Sequence, residues 1–152
     1  MKKLIATAAV TAFFAGTALA QDVVAPTAVM FDDGAVSTSL SGAAGDAANR
    51  RKVFANRKQG NCLACHANAE LSEQSFHGEV GPPLDGVADR WSEGDLRGIV
   101  ANSKMTFEDT IMPAFYVDAG YTRPLKKFDG KSILSAQQVE DVVAYLMTLK
   151  DE

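Results

Sequence analysis

The chain is poor in the residues that staple folds or build hydrolytic sites. Its 152 residues include two cysteines, two histidines and one tryptophan. The cysteines, Cys62 and Cys65, sit in one short motif, which leaves nothing over for a disulfide framework. A structural zinc site needs about four ligands, and His66, directly beside Cys65, is poorly placed to share a metal with it. No sustained alternation of apolar and polar residues appears. That excludes a sheet architecture and the strand–helix–strand setting of a thioredoxin-like cysteine pair. Beyond the first twenty residues no stretch is long and apolar enough to span a bilayer, which takes roughly 20 residues. Excess positive charge is also lacking: 15 Lys and Arg stand against 19 Asp and Glu. Nucleic acid and anionic membrane surfaces are therefore poor partners. No internal repeat is present.

What is there begins with an export signal. Met1-Lys2-Lys3 is followed by an apolar run from Leu4 to Ala15 and by Thr17-Ala18-Leu19-Ala20. A basic start, about a dozen apolar residues and an A-x-A ending describe a secretory signal peptide, residues 1–20. Cleavage after Ala20 leaves 132 residues, enough for one domain, with 13 Lys and Arg against 19 Asp and Glu.

The deciding motif is Cys62-Leu63-Ala64-Cys65-His66. This C-x-x-C-H run is the signature of covalent c-type haem attachment. Each thiol bonds one haem vinyl group, and the adjoining imidazole lies under the iron as its proximal ligand. One covalently bound haem c is expected, and with the export signal it points to the periplasm.

The layout is helical. Residues 21–42 read as an extended N-terminal arm, punctuated by Pro26, Asp32-Asp33-Gly34 and Ser41-Gly42. Val23, Val24, Val29, Met30 and Phe31 make it too apolar for a disordered leader, so it is expected to pack on the domain or on a partner. Residues 43–152 form the haem domain. Within it, Ala43 to Lys58 reads as a first helix anchored by Val53 and Phe54, with Asp46 in its first turn and Gly60 as its stop. Ala67 to Glu79 reads as an irregular loop, and Gly81-Pro82-Pro83-Leu84-Asp85-Gly86-Val87 as a rigid turn. Glu93 to Ser103 fits a helix started by Ser92 and Asp95, with Leu96, Ile99 and Val100 as its buried stripe. Lys104 to Lys131 is a long loop. The last helix is capped by Ser135 with Gln138 completing a capping box. It buries Val139, Val142, Val143, Leu146 and Leu149, with Tyr145 and Met147 flanking that face.

The second axial position takes Met or His in an electron-transfer haem. Met112 is the best candidate, in a loop stiffened by Pro113 and covered by Ala114-Phe115-Tyr116. Met105 is the rival, Met147 reads as core filler, and His77 in its polar loop is expected to be exposed. The other nitrogen of His66 needs an orienting hydrogen bond, for which the carbonyl of Pro82 is the choice and Pro83 the alternative.

Taken together, Phe54, the C-x-x-C-H run, Gly81 to Val87, Met112-Pro113 and Val142-Val143-Ala144-Tyr145-Leu146 resemble a class I cytochrome c. The resemblance implies an all-α fold in which the first and last helices cross and Phe54 meets Tyr145. Phe107 to Tyr116 and Gly130 to Asp141 are further similar to SoxX, the monohaem subunit of the sulfur-oxidation system. That family implies a SoxA partner, whose own cysteine-ligated haem carries the sulfur chemistry, so that the pair acts as an L-cysteine S-thiosulfotransferase. Thiosulfate is joined to a sulfur-carrier protein, and this chain relays the electrons to a small cytochrome c. No independent catalytic site is expected on this chain: with His66 on iron, no Ser/His/Asp set can form, and no cysteine is free for sulfur transfer. Two other readings stand beside this one, a free-standing periplasmic electron shuttle and an open-site haem enzyme. Met112-Pro113 argues against the latter.

Overall fold

The computed structural model describes residues 22–46 and 49–151, so the expected signal segment lies outside the described residues. Among the described residues four α-helices form: α1 (Arg50–Ala55), α2 (Val87–Arg90), α3 (Glu93–Asn102) and α4 (Ala136–Leu146). Single 3-10 turns link them, including one that turns at Cys62–Ala64. Among the described residues the only extended pairing is an isolated bridge between Asp32 and Ala35.

Helices α3 and α4 begin where their capping signals lie. The Ser92 hydroxyl accepts from the Asp95 amide, and the Asp95 carboxylate accepts from the Ser92 amide. Ser135 and Gln138 do the same for α4. Each pair satisfies two N–H groups that the first turn would otherwise leave orphaned. Helix α4 crosses α1 and packs on α3. Phe54 and Tyr145 meet at the first crossing, ring centroids 4.8 Å apart. Val53, Leu96, Val100, Val139, Val142, Val143 and Leu146 fill the space between these helices, each stabilising the fold by roughly 1.5–3 kcal/mol.

The first helix is shorter than its periodicity suggests. The segment before α1 is tied to α4: the buried Asp141 carboxylate accepts from the Asp46 amide at 2.7 Å and from the Asn49 side chain at 2.6 Å. Helix α1 starts only after Asn49 and ends at Ala55, because the amides of Gln59 and Asn61 both turn back to the Asn56 carbonyl. Asp46 thus precedes the helix instead of lying in its first turn. Helix α3 ends one residue early, with Ser103 opening a 3-10 turn. Ile99 is half-buried, and Arg97 takes the buried place beside it. Tyr145 is fully buried instead of flanking the apolar face.

The arm lies on this framework. Val36 and Leu40 are buried in the core, and Val24, Val29 and Phe31 pack against it, while Val23 and Met30 stay exposed. A buried ion pair fixes it. The Arg97 guanidinium donates to Glu140 (3.0 Å) and to the Val36 carbonyl (2.9 Å), and Glu140 also accepts from the Leu40 amide (2.7 Å). Any side chain at Gly98 would collide with the Gly34 carbonyl, so glycine lets the arm lie directly on α3.

Candidate metal centre

The C-x-x-C-H segment is shaped before any ligand is considered. Asn61 takes a left-handed backbone (φ 50°), which asparagine tolerates better than most residues. The amides of Cys65 and His66 then both turn back to the Cys62 carbonyl, at 3.1 and 3.0 Å. This tight turn projects both thiols as free side chains. Burial pushes the Cys62 thiol up to about 12, so the unreacted group stays neutral in its apolar surroundings.

The His66 imidazole is fixed from the opposite side. The Gly81 amide bonds the Cys65 carbonyl at 2.7 Å, and the Leu84 amide bonds the Ala67 carbonyl at 3.0 Å. These bonds lay residues 81–84 along the motif. The Pro82 carbonyl then stands 2.8 Å from Nδ1 of His66. A carbonyl can only accept, so Nδ1 carries the proton and Nε2 is left with a free lone pair. The carbonyl within reach of the ring is that of Pro82, and among the described residues no hydrogen bond from the ring to Pro83 is present.

Met112 is half-buried and packs against the core cluster. Its loop is tied down on both sides of the sulfur-bearing residue. The Met112 amide donates to the Thr110 hydroxyl, and its carbonyl accepts from Ser103 (2.9 Å) and from the Lys104 amine. The next residues are pinned to α3, Phe115 to the Val100 carbonyl and Tyr116 to the Ala101 carbonyl. Met105 is half exposed, at 50%. Met147 packs on the core from the end of α4.

The family model for cytochrome c matches residues 47–150. The chain belongs to the cytochrome c family. A solved structure titled "Crystal structure of SoxXA from P. pantotrophus" contains a similar chain. The two are 49% identical with a TM-score of 0.79, over 86% of this chain and all of that one. No curated protein matches. The fold is that of a class I cytochrome c, and the chain is an electron-transfer cytochrome of the SoxX type.

A cytochrome of this family holds haem c covalently, and the residues here fit it. Cys62 and Cys65 offer two unpaired thiols, His66 offers a nitrogen with its tautomer already set, and Met112 offers a soft thioether. When bound, the haem supplies one-electron redox chemistry at its iron. The protein's part is to hold the imidazole plane still through the Pro82 carbonyl.

Two residues of this cytochrome's site escaped the sequence reading. His77 is half-buried, not exposed: its Nδ1 accepts from the Asn68 amide (3.3 Å), and Nε2–H donates to the Leu71 carbonyl (3.0 Å). Both ring nitrogens are thus spent on closing the loop after His66. Asn68, fully buried, donates to the Tyr145 hydroxyl at 2.8 Å and accepts from the Glu70 amide at 3.0 Å. It joins the haem-motif loop to α4. Nothing local signals this, since an Asn in a polar loop reads as surface.

Proposed function

We propose that this cytochrome carries one haem c on Cys62 and Cys65, with His66 and Met112 as axial ligands and the Pro82 carbonyl orienting His66. We further propose that it works in the periplasm as the electron-accepting subunit of a heterodimer with a SoxA-type cytochrome. In thiosulfate oxidation it takes electrons from the partner's haem site, transiently near a sulfur-carrier protein, and passes them to a small cytochrome c. The likeness to a SoxXA chain, 49% identity over that whole chain, carries this reading. Among the described residues no helix is long and apolar enough to cross a membrane.

One observation favours the alternative, a free-standing shuttle. The arm covers its own domain with Val36 and Leu40, so a partner is not needed to bury those two residues. Co-purification from thiosulfate-grown cells separates the readings. The full chain should bring down a SoxA-type cytochrome, and deleting 22–30 should weaken that capture while leaving the haem spectrum intact. A chain that stays monomeric under the same conditions is a shuttle. A mature mass lacking one haem, with both cysteines free, ends both readings.

A further inference from the structure

Met112 is held through its own backbone. Its amide donates to the Thr110 hydroxyl at 3.2 Å, and its carbonyl takes two donors. One is the Ser103 hydroxyl, at 2.9 Å, and the other is the Lys104 amine. Ser103 is fully buried. Its carbonyl accepts from the amides of Thr106 and Phe107, at 3.2 and 2.9 Å, where the chain leaves α3. Its hydroxyl reaches Met112 where the chain returns. One residue thus closes the loop over 104–112 on the end of α3. The Lys104 amine adds a second tie, to the Thr110 carbonyl at 3.0 Å. Among the described residues Lys104 forms no ion pair, so its charge is directed at two carbonyls of this loop.

The loop needs this closure. Phe107 meets Trp91 edge-on, but beyond it Glu108, Asp109 and Ile111 are exposed, so little apolar burial holds that stretch in place. Other elements fix what lies on either side. The arm backs residues 105–106: a Cβ on Gly34 would stand 2.5 Å from the Thr106 hydroxyl and 3.2 Å from the Met105 carbonyl. Helix α3 fixes residues 115–116, whose amides bond the Val100 and Ala101 carbonyls. Met112 lies between these two anchors, and the donors on its carbonyl are Ser103 and Lys104.

We propose that Ser103 and Lys104 are positioning residues for Met112. Acting through its carbonyl, they hold the loop so that the thioether stays in its axial place and a small foreign ligand cannot take that place. The inference rests on the reading of Met112 as axial ligand given above. A ligand that needs the thioether displaced binds more weakly in proportion to how rarely it is displaced. Its affinity therefore measures how firmly the loop is held.

The test adds imidazole to the oxidised holoprotein and follows the loss of the thioether band at the red edge of the spectrum. Ser103→Ala and Lys104→Leu should each tighten imidazole binding by about fivefold, the effect of one hydrogen bond. The midpoint potential should fall in both, since thioether favours the reduced iron. Lys104→Arg, which keeps the charge and the donors, should restore both values. Asn49→Ala breaks the bond to Asp141 instead and should lower stability with no change in imidazole affinity. Lys104 is exposed, so its variants report even where Ser103→Ala does not fold. Unchanged affinity in Lys104→Leu or in folded Ser103→Ala overturns the proposal, as does an equal change in Asn49→Ala or in Lys104→Arg. In each of these cases a band that Met112→Ala removes leaves the ligand reading standing. If the wild-type protein lacks the band, or Met112→Ala keeps it, the ligand reading fails and the positioning proposal with it.

Discussion

Gly81 and His66 are so closely apposed that a Cβ at position 81 would stand 2.7 Å from Nδ1 of the imidazole and collide with Cε1. Real Cβ atoms do not approach so near. The ring and the backbone of residues 81–82 therefore form one unit, in which the Pro82 carbonyl holds the proton on Nδ1. Gly81→Ala should push the ring off this carbonyl. A less firmly hydrogen-bonded imidazole is a weaker donor to iron, so the midpoint potential should rise and the Nδ1 proton should exchange faster by NMR. An unchanged potential with a slowly exchanging proton would show that the ring is held some other way.

Thioether ligation can be read from the oxidised spectrum. Met112→Ala should remove the weak band at the red edge and lower the potential, because thioether favours the reduced iron. Met105→Ala should spare both, in keeping with its exposure. Loss of the band in Met105→Ala alone would move the ligand to that residue.

Arg97 and Glu140 are both about 95% buried. Removing one partner leaves the other as an uncompensated buried charge, so Arg97→Ala should cost about 3–5 kcal/mol of stability in urea unfolding. The pair Arg97→Leu/Glu140→Leu should cost less than the two single changes added together. Strict additivity would mean that the ion pair is not the reason the single change hurts.

All three tyrosines ionise late. Burial pushes Tyr116, Tyr121 and Tyr145 above the usual phenol range, most strongly Tyr145, where the Glu70 carboxylate adds to the effect. A raised folded value means that the folded state keeps protons the unfolded chain has lost. The stabilisation is complete below about pH 10, the ordinary phenol value, and declines as pH rises from there through the folded values. Tyrosinate absorbance should therefore appear only well above pH 10 and together with unfolding. Tyr145→Phe should flatten the alkaline decline. Early, reversible ionisation of all three rings in the folded protein would contradict this.

How much was legible follows from where each cause lies. The capping boxes at Ser92 and Ser135 act within three residues, so α3 and α4 could be read directly from sequence. The C-x-x-C-H run and the nearby proline turn are also local, which is why the Pro82 carbonyl could be expected beside His66. Helix α1 is shorter than its pattern suggests, and the segment before it is held by Asp141, 95 residues away, which no local signal reveals. The burial of Arg97 and Glu140 was not legible, because the carboxylate and guanidinium that meet there lie 43 residues apart. Asn68 was missed for the same reason, its role being set by Tyr145, whereas the burial of His77 follows from how its loop folds back on Leu71 and Asn68, which the loop's polar composition does not signal.

The contact between Leu40 and Glu140 spans a hundred positions, and it sets an order of events for a chain made from its N-terminus. Arg97 emerges with Val36 already made but without its buried carboxylate partner Glu140, which is synthesised later. Until the final helix arrives, the guanidinium lacks its buried counter-charge and the Leu40 end of the arm lacks its acceptor on Glu140. Contacts of such long reach form slowly, because the loop between them must be ordered first. The haem motif at 62–66 lies inside that loop, so it remains accessible throughout this open interval and is enclosed only when the two ends of the chain meet.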